Sequence, residues 1–217
     1  MAQFARPTSD DFNTGGADAW VASSGSDMYA MVDETPASDS DYISSEDSGS
    51  SSVANVRMPL STLNDPVSSS GHVIRYRIQW RDTYDMGLDQ PTVHVKLMQD
   101  QVTDPPTPGN CNHQIWSRTS TYSSNSLNQY SGGDNYGLEE HTLSATQANN
   151  ITYDGSICFM IQRNSLMGSG ETVYLSFVEF EVPDVTATTT TTTTTATPST
   201  TQRRVRLDSL GFGIGIE

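Results

Sequence analysis

Residues His72–Trp80 read HVIRYRIQW. Drawn extended, Ile74, Tyr76, Ile78 and Trp80 point one way, and Val73, Arg75, Arg77 and Gln79 point the other. That alternation predicts a β-strand with one buried, aromatic-ended face and one wet, basic face. The segments on either side are strand-like and short, so this strand is expected to share its core with several others.

Downstream, Thr92–Gln99 (TVHVKLMQ) alternates most cleanly, with Val93, Val95 and Leu97 inward and His94, Lys96 and Met98 outward. Gln114–Thr121 (QIWSRTST) is another strand, Leu138–Leu143 can be extended, and Ser144 is placed to cap a single helical turn over 144–149. Ser156–Gln162 (SICFMIQ) is a continuous apolar run that reads as a strand buried on both faces. Thr172–Val182 (TVYLSFVEFEV) closes the series with β-branched and aromatic residues. Upstream, Val53–Leu60 carries Pro59 as the mark of a strand end or edge, and three strand-like pieces occupy Asp18–Ala22, Met28–Asp33 and Asp39–Ser44. Roughly ten short strands, with turn chemistry every 8–15 residues or so, predict an all-β fold, an antiparallel β-sandwich or jelly roll. The boundaries expected are an N-terminal arm over 1–17, a β-sandwich domain over 18–182, a Thr-rich linker over 183–202 and a docking strand over 203–217.

The ends differ from the middle. Residues 1–17 are polar and contain Pro7 and Gly15–Gly16, which suits an extended arm. Residues 183–202 include eight consecutive threonines, Thr188–Thr195, and no residue large enough to anchor a core. Such a tether reaches on the order of 60 Å. Arg203–Glu217 turns apolar again. Val205, Leu207, Leu210, Phe212, Ile214 and Ile216 are the residues expected to dock, the last three alternating with glycines that let another backbone approach closely. A terminal apolar strand on a long tether completes a sheet, its own or a neighbour's.

The chain has 217 residues and a hydrophobic share of 34%, low enough that not all of it is packed core. Its net charge of −15 argues against nucleic acid as a partner, because phosphate binding needs clustered Lys and Arg. No apolar run approaches the ~20 residues of a membrane-spanning helix. The N-terminal residues lack the basic and apolar regions of a secretory signal, so the protein is expected to be made and kept in the cytoplasm, or assembled there into something larger. The two cysteines, Cys111 and Cys158, leave a disulfide undetermined; the reading taken is one loop thiol and one buried thiol.

Chemistry-bearing residues are few. Glu179 and Glu181 share a strand face at ~6–7 Å, a spacing within reach of a glycosidase acid/base pair; a solvent-facing strip with Val178, Phe180 and Val182 behind it is the preferred reading. The four histidines, His72, His94, His113 and His141, show no zinc-site spacing, although His72 and His94 are candidates to lie on neighbouring strands. Asp39 and Asp41, with Asp33 and Glu34 nearby, offer oxygen ligands for Ca²⁺ without the glycine and terminal glutamate of an EF-hand loop; solvated acids are the preferred reading. No cofactor is expected. Trp116, Tyr130 and Tyr136, in or near long loops, are candidates for a glycan-stacking platform.

The order of Trp20, MYAMVDE (28–34), DSDYISS (39–45), GHVIRYR (71–77) and ATQANNITYD (145–154) resembles a group of small β-sandwich proteins encoded among the virion structural genes of tailed bacteriophages. The resemblance covers about residues 1–182 and leaves out the threonine linker and the tail. It implies a non-enzymatic virion structural protein, a head decoration, neck or tail-associated component. Its partners would be other virion proteins, in a homo-oligomer or symmetric array. The alternative is a carbohydrate-binding module for host-surface glycans.

Overall fold

The computed structural model describes residues 1–48, 53–82, 92–100, 111–121, 137–164 and 169–184. The tail residues Val205, Leu207, Leu210, Phe212, Ile214 and Ile216, and Tyr130 and Tyr136, lie outside the described residues. The strands are β1 (Gln3–Ala5), β2 (Phe12–Thr14), β3 (Val21–Ala22), β4 (Ile43–Ser48), β5 (Ala54–Pro59) and β6 (Val73–Asp82). They continue as β7 (Thr92–Gln99), β8 (His113–Thr121), β9 (Gly137–Thr142), β10 (Ile157–Asn164) and β11 (Ser169–Val182), with one short helix, α1 (Ala145–Asn149), before β10.

These strands form two antiparallel sheets, and the fold is a β-sandwich. One sheet has the order β3-β4-β11-β6-β9, with β1 also on β11; the other has the order β2-β5-β10-β7-β8. The quoted stretch supplies β6, paired with β11 and β9. Ile74, Tyr76, Ile78 and Trp80 are all buried, and they meet Phe159 and Ile161 of β10 and Val93, Val95 and Leu97 of β7 in one core. Strand β11 carries that core from Val173 to Val182 because a register shift between Leu175 and Phe177 resets its alternation. Val173 and Leu175 face inward before the shift, and Val178, Phe180 and Val182 after it.

Three expectations change. Residues 1–17, read as an arm, are built into the sandwich: β1 pairs with β11, β2 pairs with β5, and Ala5 is fully buried. Met28–Asp33, read as a strand, contains a 3-10 turn at Tyr29–Met31. The edge of β11 next to it is taken by β1 and β4, and the segment meets β11 through a bond from Val178 N–H to the Val32 carbonyl at 2.9 Å. Cys111 and Cys158, read as separate thiols, form a disulfide with Cα atoms 6.1 Å apart. The bridge lies on the outer face of β10, where it packs with Met98 and Met160 in a small second cluster. This explains why Met98 faces outward from β7 and is nevertheless buried.

The sheets are also joined by a charged pair inside the core. Arg163 of β10 and Asp18, in the 3-10 turn Gly16–Asp18, are both essentially inaccessible, with 3.4 Å between Arg163 Nη2 and Asp18 Oδ2. Arg163 Nε donates to Ser45 Oγ at 2.9 Å, and that hydroxyl donates to the Asp18 carbonyl at 2.6 Å. Two buried charges are tolerable only when paired and hydrogen-bonded in this way.

Candidate functional site

The outer face of β11 holds the carboxylate pair singled out from sequence. Strand register sets Arg75 of β6 opposite Glu179 on one side and Glu140 of β9 on the other. Arg75 reaches Glu140 at 2.6 Å, Glu181 at 2.5 Å and Glu179 at 3.4 Å, while Arg6 pairs with the second oxygen of Glu179. A glycosidase needs one carboxyl group able to hand a proton to the leaving group and a second facing the sugar carbon. Here the guanidinium N–H groups occupy both carboxylates, and Glu179 is buried beneath them. The arrangement ties β1, β6, β9 and β11 together across the sheet face. Glu179→Gln is expected to lower stability by about 1.5–3 kcal/mol, the range for a hydrogen bond to a charged group. Chemical denaturation measures this; a change near zero contradicts it.

The acidic stretch upstream is similarly occupied. Asp39 pairs with Arg77 at 2.6 Å, and among the described residues no group of three or more His, Cys, Asp or Glu side chains is placed to hold a metal ion. No helix among them is long and apolar enough to cross a membrane.

Trp116 is not a surface platform. A register shift opposite Leu97 and Met98 turns both Ile115 and Trp116 of β8 inward, and Trp116 is 8% exposed. Its ring lies 5.3 Å from His141 of β9, which in turn lies 5.9 Å from Tyr76. These rings close the gap between the edge strands of the two sheets. His72 and His94 are not on neighbouring strands, since β6 and β7 belong to different sheets. His94 is held by Thr119 at 2.7 Å and Asn164 at 2.8 Å.

A concave region lies at the end of the sandwich where the connection 60–72 meets 143–156. Two cavities share Tyr153 as their common wall. One, of about 310 Å³, is lined by Asp65, Ser68, Ser69, His72, Asn149 and Tyr153 among others. The other, of about 280 Å³, is lined by Ser61, Asp100, Asp154 and Ser156 among others. Local structure holds this end in shape. Ser144 and Gln147 form a reciprocal capping box that starts α1. Gln99, at the end of β7, clamps the following turn by donating to the Asn150 carbonyl at 2.9 Å and accepting from Thr152 N–H at 2.8 Å. Across the cavity, Ser68 Oγ accepts from Ser70 N–H at 3.2 Å, and Gly71 supplies the left-handed φ of 87° that turns the chain into β6.

His72 sits at the floor of the larger cavity. It is 1% exposed, packs on the Phe180 ring and has its Nε2 2.7 Å from the Tyr153 hydroxyl; its Nδ1 has no partner. Its parity with Ile74 and Tyr76 was a sequence signal for an inward position, but nothing in the sequence indicated the partnership with Tyr153. Burial lowers the His72 pKa, because the charged ring is poorly solvated there. His94 and His141 shift the same way, first through burial and then through Lys96 and Arg118 respectively. The unfolded chain therefore takes up protons first as pH falls below about 6.5, and stability drops by up to about 1.4 kcal/mol per pH unit for each such group until its folded pKa is passed. The melting temperature is expected to fall between pH 7.5 and pH 5, with a shallower slope in His72→Gln. Equal slopes would remove His72 from this account.

No family model matches the chain, and no curated protein does. Among solved structures, the chain is similar to a carbohydrate-binding module from the β-sandwich superfamily described as having promiscuous specificity, at 13% identity and a TM-score of 0.38. That match covers 83% of this chain, which spans 56% of the length of the other. The chain is also similar to the K1 cleaved adhesin domain of Lys-gingipain from Porphyromonas gingivalis W83, at 12% identity and a TM-score of 0.40, over 85% of this chain and 99% of that one. At these levels the likeness bears on no ligand or partner of this chain.

Proposed function

We propose that the chain is a non-enzymatic structural protein of a tailed bacteriophage virion, bound to capsid, neck or tail proteins. The observation that carries the non-enzymatic part of this reading is the outer face of β11. The carboxylate pair offered there as an acid/base couple is closed by Arg6 and Arg75 and works as a cross-sheet tie. Three further features support the virion role. The resemblance over residues 1–182 is to virion structural proteins, and the Cys111–Cys158 bridge suits a particle surface better than a reducing cytosol. The tail over 203–217, basic at Arg203, Arg204 and Arg206 and apolar beyond, has the composition of a segment that inserts beside another chain. Purified particles from an infected culture test the reading. The chain is expected to sediment with them through a density gradient at a fixed copy number per particle, and its recovery only from the unassembled fraction contradicts the proposal.

A further inference from the structure

We propose that the cavity between the 65–71 turn and α1 binds a neutral polyhydroxylated ligand, one sugar unit, with the Tyr153 hydroxyl as a hydrogen-bond donor to it. This goes beyond a structural role and places ligand recognition at the loop end, away from the buried Trp116.

The lining decides the ligand class. Asp65, Ser68, Ser69 and Asn149 present carboxylate, hydroxyl and amide groups around a space of about 310 Å³, which is at the lower end of the range for small-molecule sites. An anion is disfavoured, because Asp65 lines the cavity and no Lys or Arg does, in a chain of net charge −15. A metal ion lacks ligands, since the cavity offers only one carboxylate and one histidine. An apolar ligand would leave these polar groups unpaired. A sugar hydroxyl both donates and accepts, so it can satisfy carboxylate, amide and hydroxyl partners at once.

The histidine identifies the donor. His72 Nε2 is within hydrogen-bond distance of the Tyr153 oxygen, and His72 Nδ1 is buried without a partner. If Tyr153 donated to Nε2, the proton would sit on Nδ1 as an orphaned buried N–H, which is the rarer and costlier state. The other tautomer has Nε2–H donating to the phenol oxygen and leaves only an unfilled acceptor at Nδ1. The Tyr153 O–H is then released to donate into the cavity. Burial, followed by the charge of Asp65, raises the Tyr153 pKa, so the phenol keeps its proton. Both walls are preset by the Ser68–Ser70 and Gln99 contacts, so little ordering is required on binding.

The test is a ¹H–¹⁵N NMR titration of the full chain with glucose, galactose, mannose and N-acetylglucosamine, each to tens of millimolar. At least one sugar is expected to give saturable shifts at the Ser68, Ser69, Asn149 and Tyr153 amides. Tyr153→Phe and Asn149→Ala are each expected to raise its Kd about fivefold or more, the factor for one lost hydrogen bond. Asn149 is exposed, so its variant serves even if Tyr153→Phe melts early, and Glu140→Gln on the outer sheet face is expected to bind like the parent. Three results would each overturn the proposal: no saturable shifts at these amides with any sugar, an unchanged Kd in both variants, or shifts there with inorganic phosphate or Ca²⁺ in place of sugar.

Discussion

Asp18→Ala is expected to destabilise the sandwich by about 3–5 kcal/mol, the cost of stranding one member of a buried ion pair. Arg163 would keep its charge at 1% exposure, with Ser45 Oγ and the Glu46 carbonyl among its neighbours, but would lose the Asp18 carboxylate. In a domain of this size the loss corresponds to a fall in melting temperature of roughly 10 °C. The physical cause is separable from packing. Arg163→Met in the same chain removes the stranded charge and fills much the same volume, so the double variant is expected to be more stable than Asp18→Ala alone. Thermal and denaturant melts of the two singles and the double close the cycle. Single-variant losses below about 1 kcal/mol, with no recovery in the double, would show that the pair is not buried as described.

The second large effect concerns the disulfide. Cys111 and Cys158 are 47 residues apart, and a cross-link closing a loop of that length removes about 4 kcal/mol of unfolded-state entropy. Cys111→Ser together with Cys158→Ala is expected to lose most of that amount, as is reduction of the parent by dithiothreitol. Reduction of the double variant is expected to change nothing. A parent chain whose stability is indifferent to reductant contradicts the pairing. The outer-face cluster also predicts where the damage appears first. Met98 and Met160 lose their cover when the bridge opens, so amide exchange should rise at the Cys158 end of β10 before the core strands respond.

Much of the sandwich was legible because a half-buried strand writes its period into the chain. Thr92–Gln99 matches β7 end to end, and His72–Trp80 differs from β6 only at its limits. Ser144 was readable as a cap because the hydroxyl and the residue three positions on form a local motif. What was not legible depended on partners distant in sequence. Residues 28–33 have a strand-like composition, but a strand also needs a free edge, and β1 and β4 had taken it. Residues 3–5 and 12–14 are too short and polar to announce themselves, and they pair because β11 and β5 offer edges. Trp116 looked exposed because a register shift that turns two consecutive residues inward has no signature in a period-two pattern. Arg163 continues the inward parity of Phe159 and Ile161, so its burial was readable; its partner Asp18 was not. The same holds at the site. Glu179 and Glu181 were found by spacing, whereas Arg75 of β6 and Arg6, just after β1, determine what that pair does and are distant in sequence.

The proposed attachment to a particle through the tail is tested by the copy number of the chain on purified virions with and without residues 203–217. The full chain is expected to be particle-bound at fixed stoichiometry, and the truncated chain, with an unchanged melting temperature, to stay in the unassembled fraction. Equal occupancy by the truncated chain would contradict it.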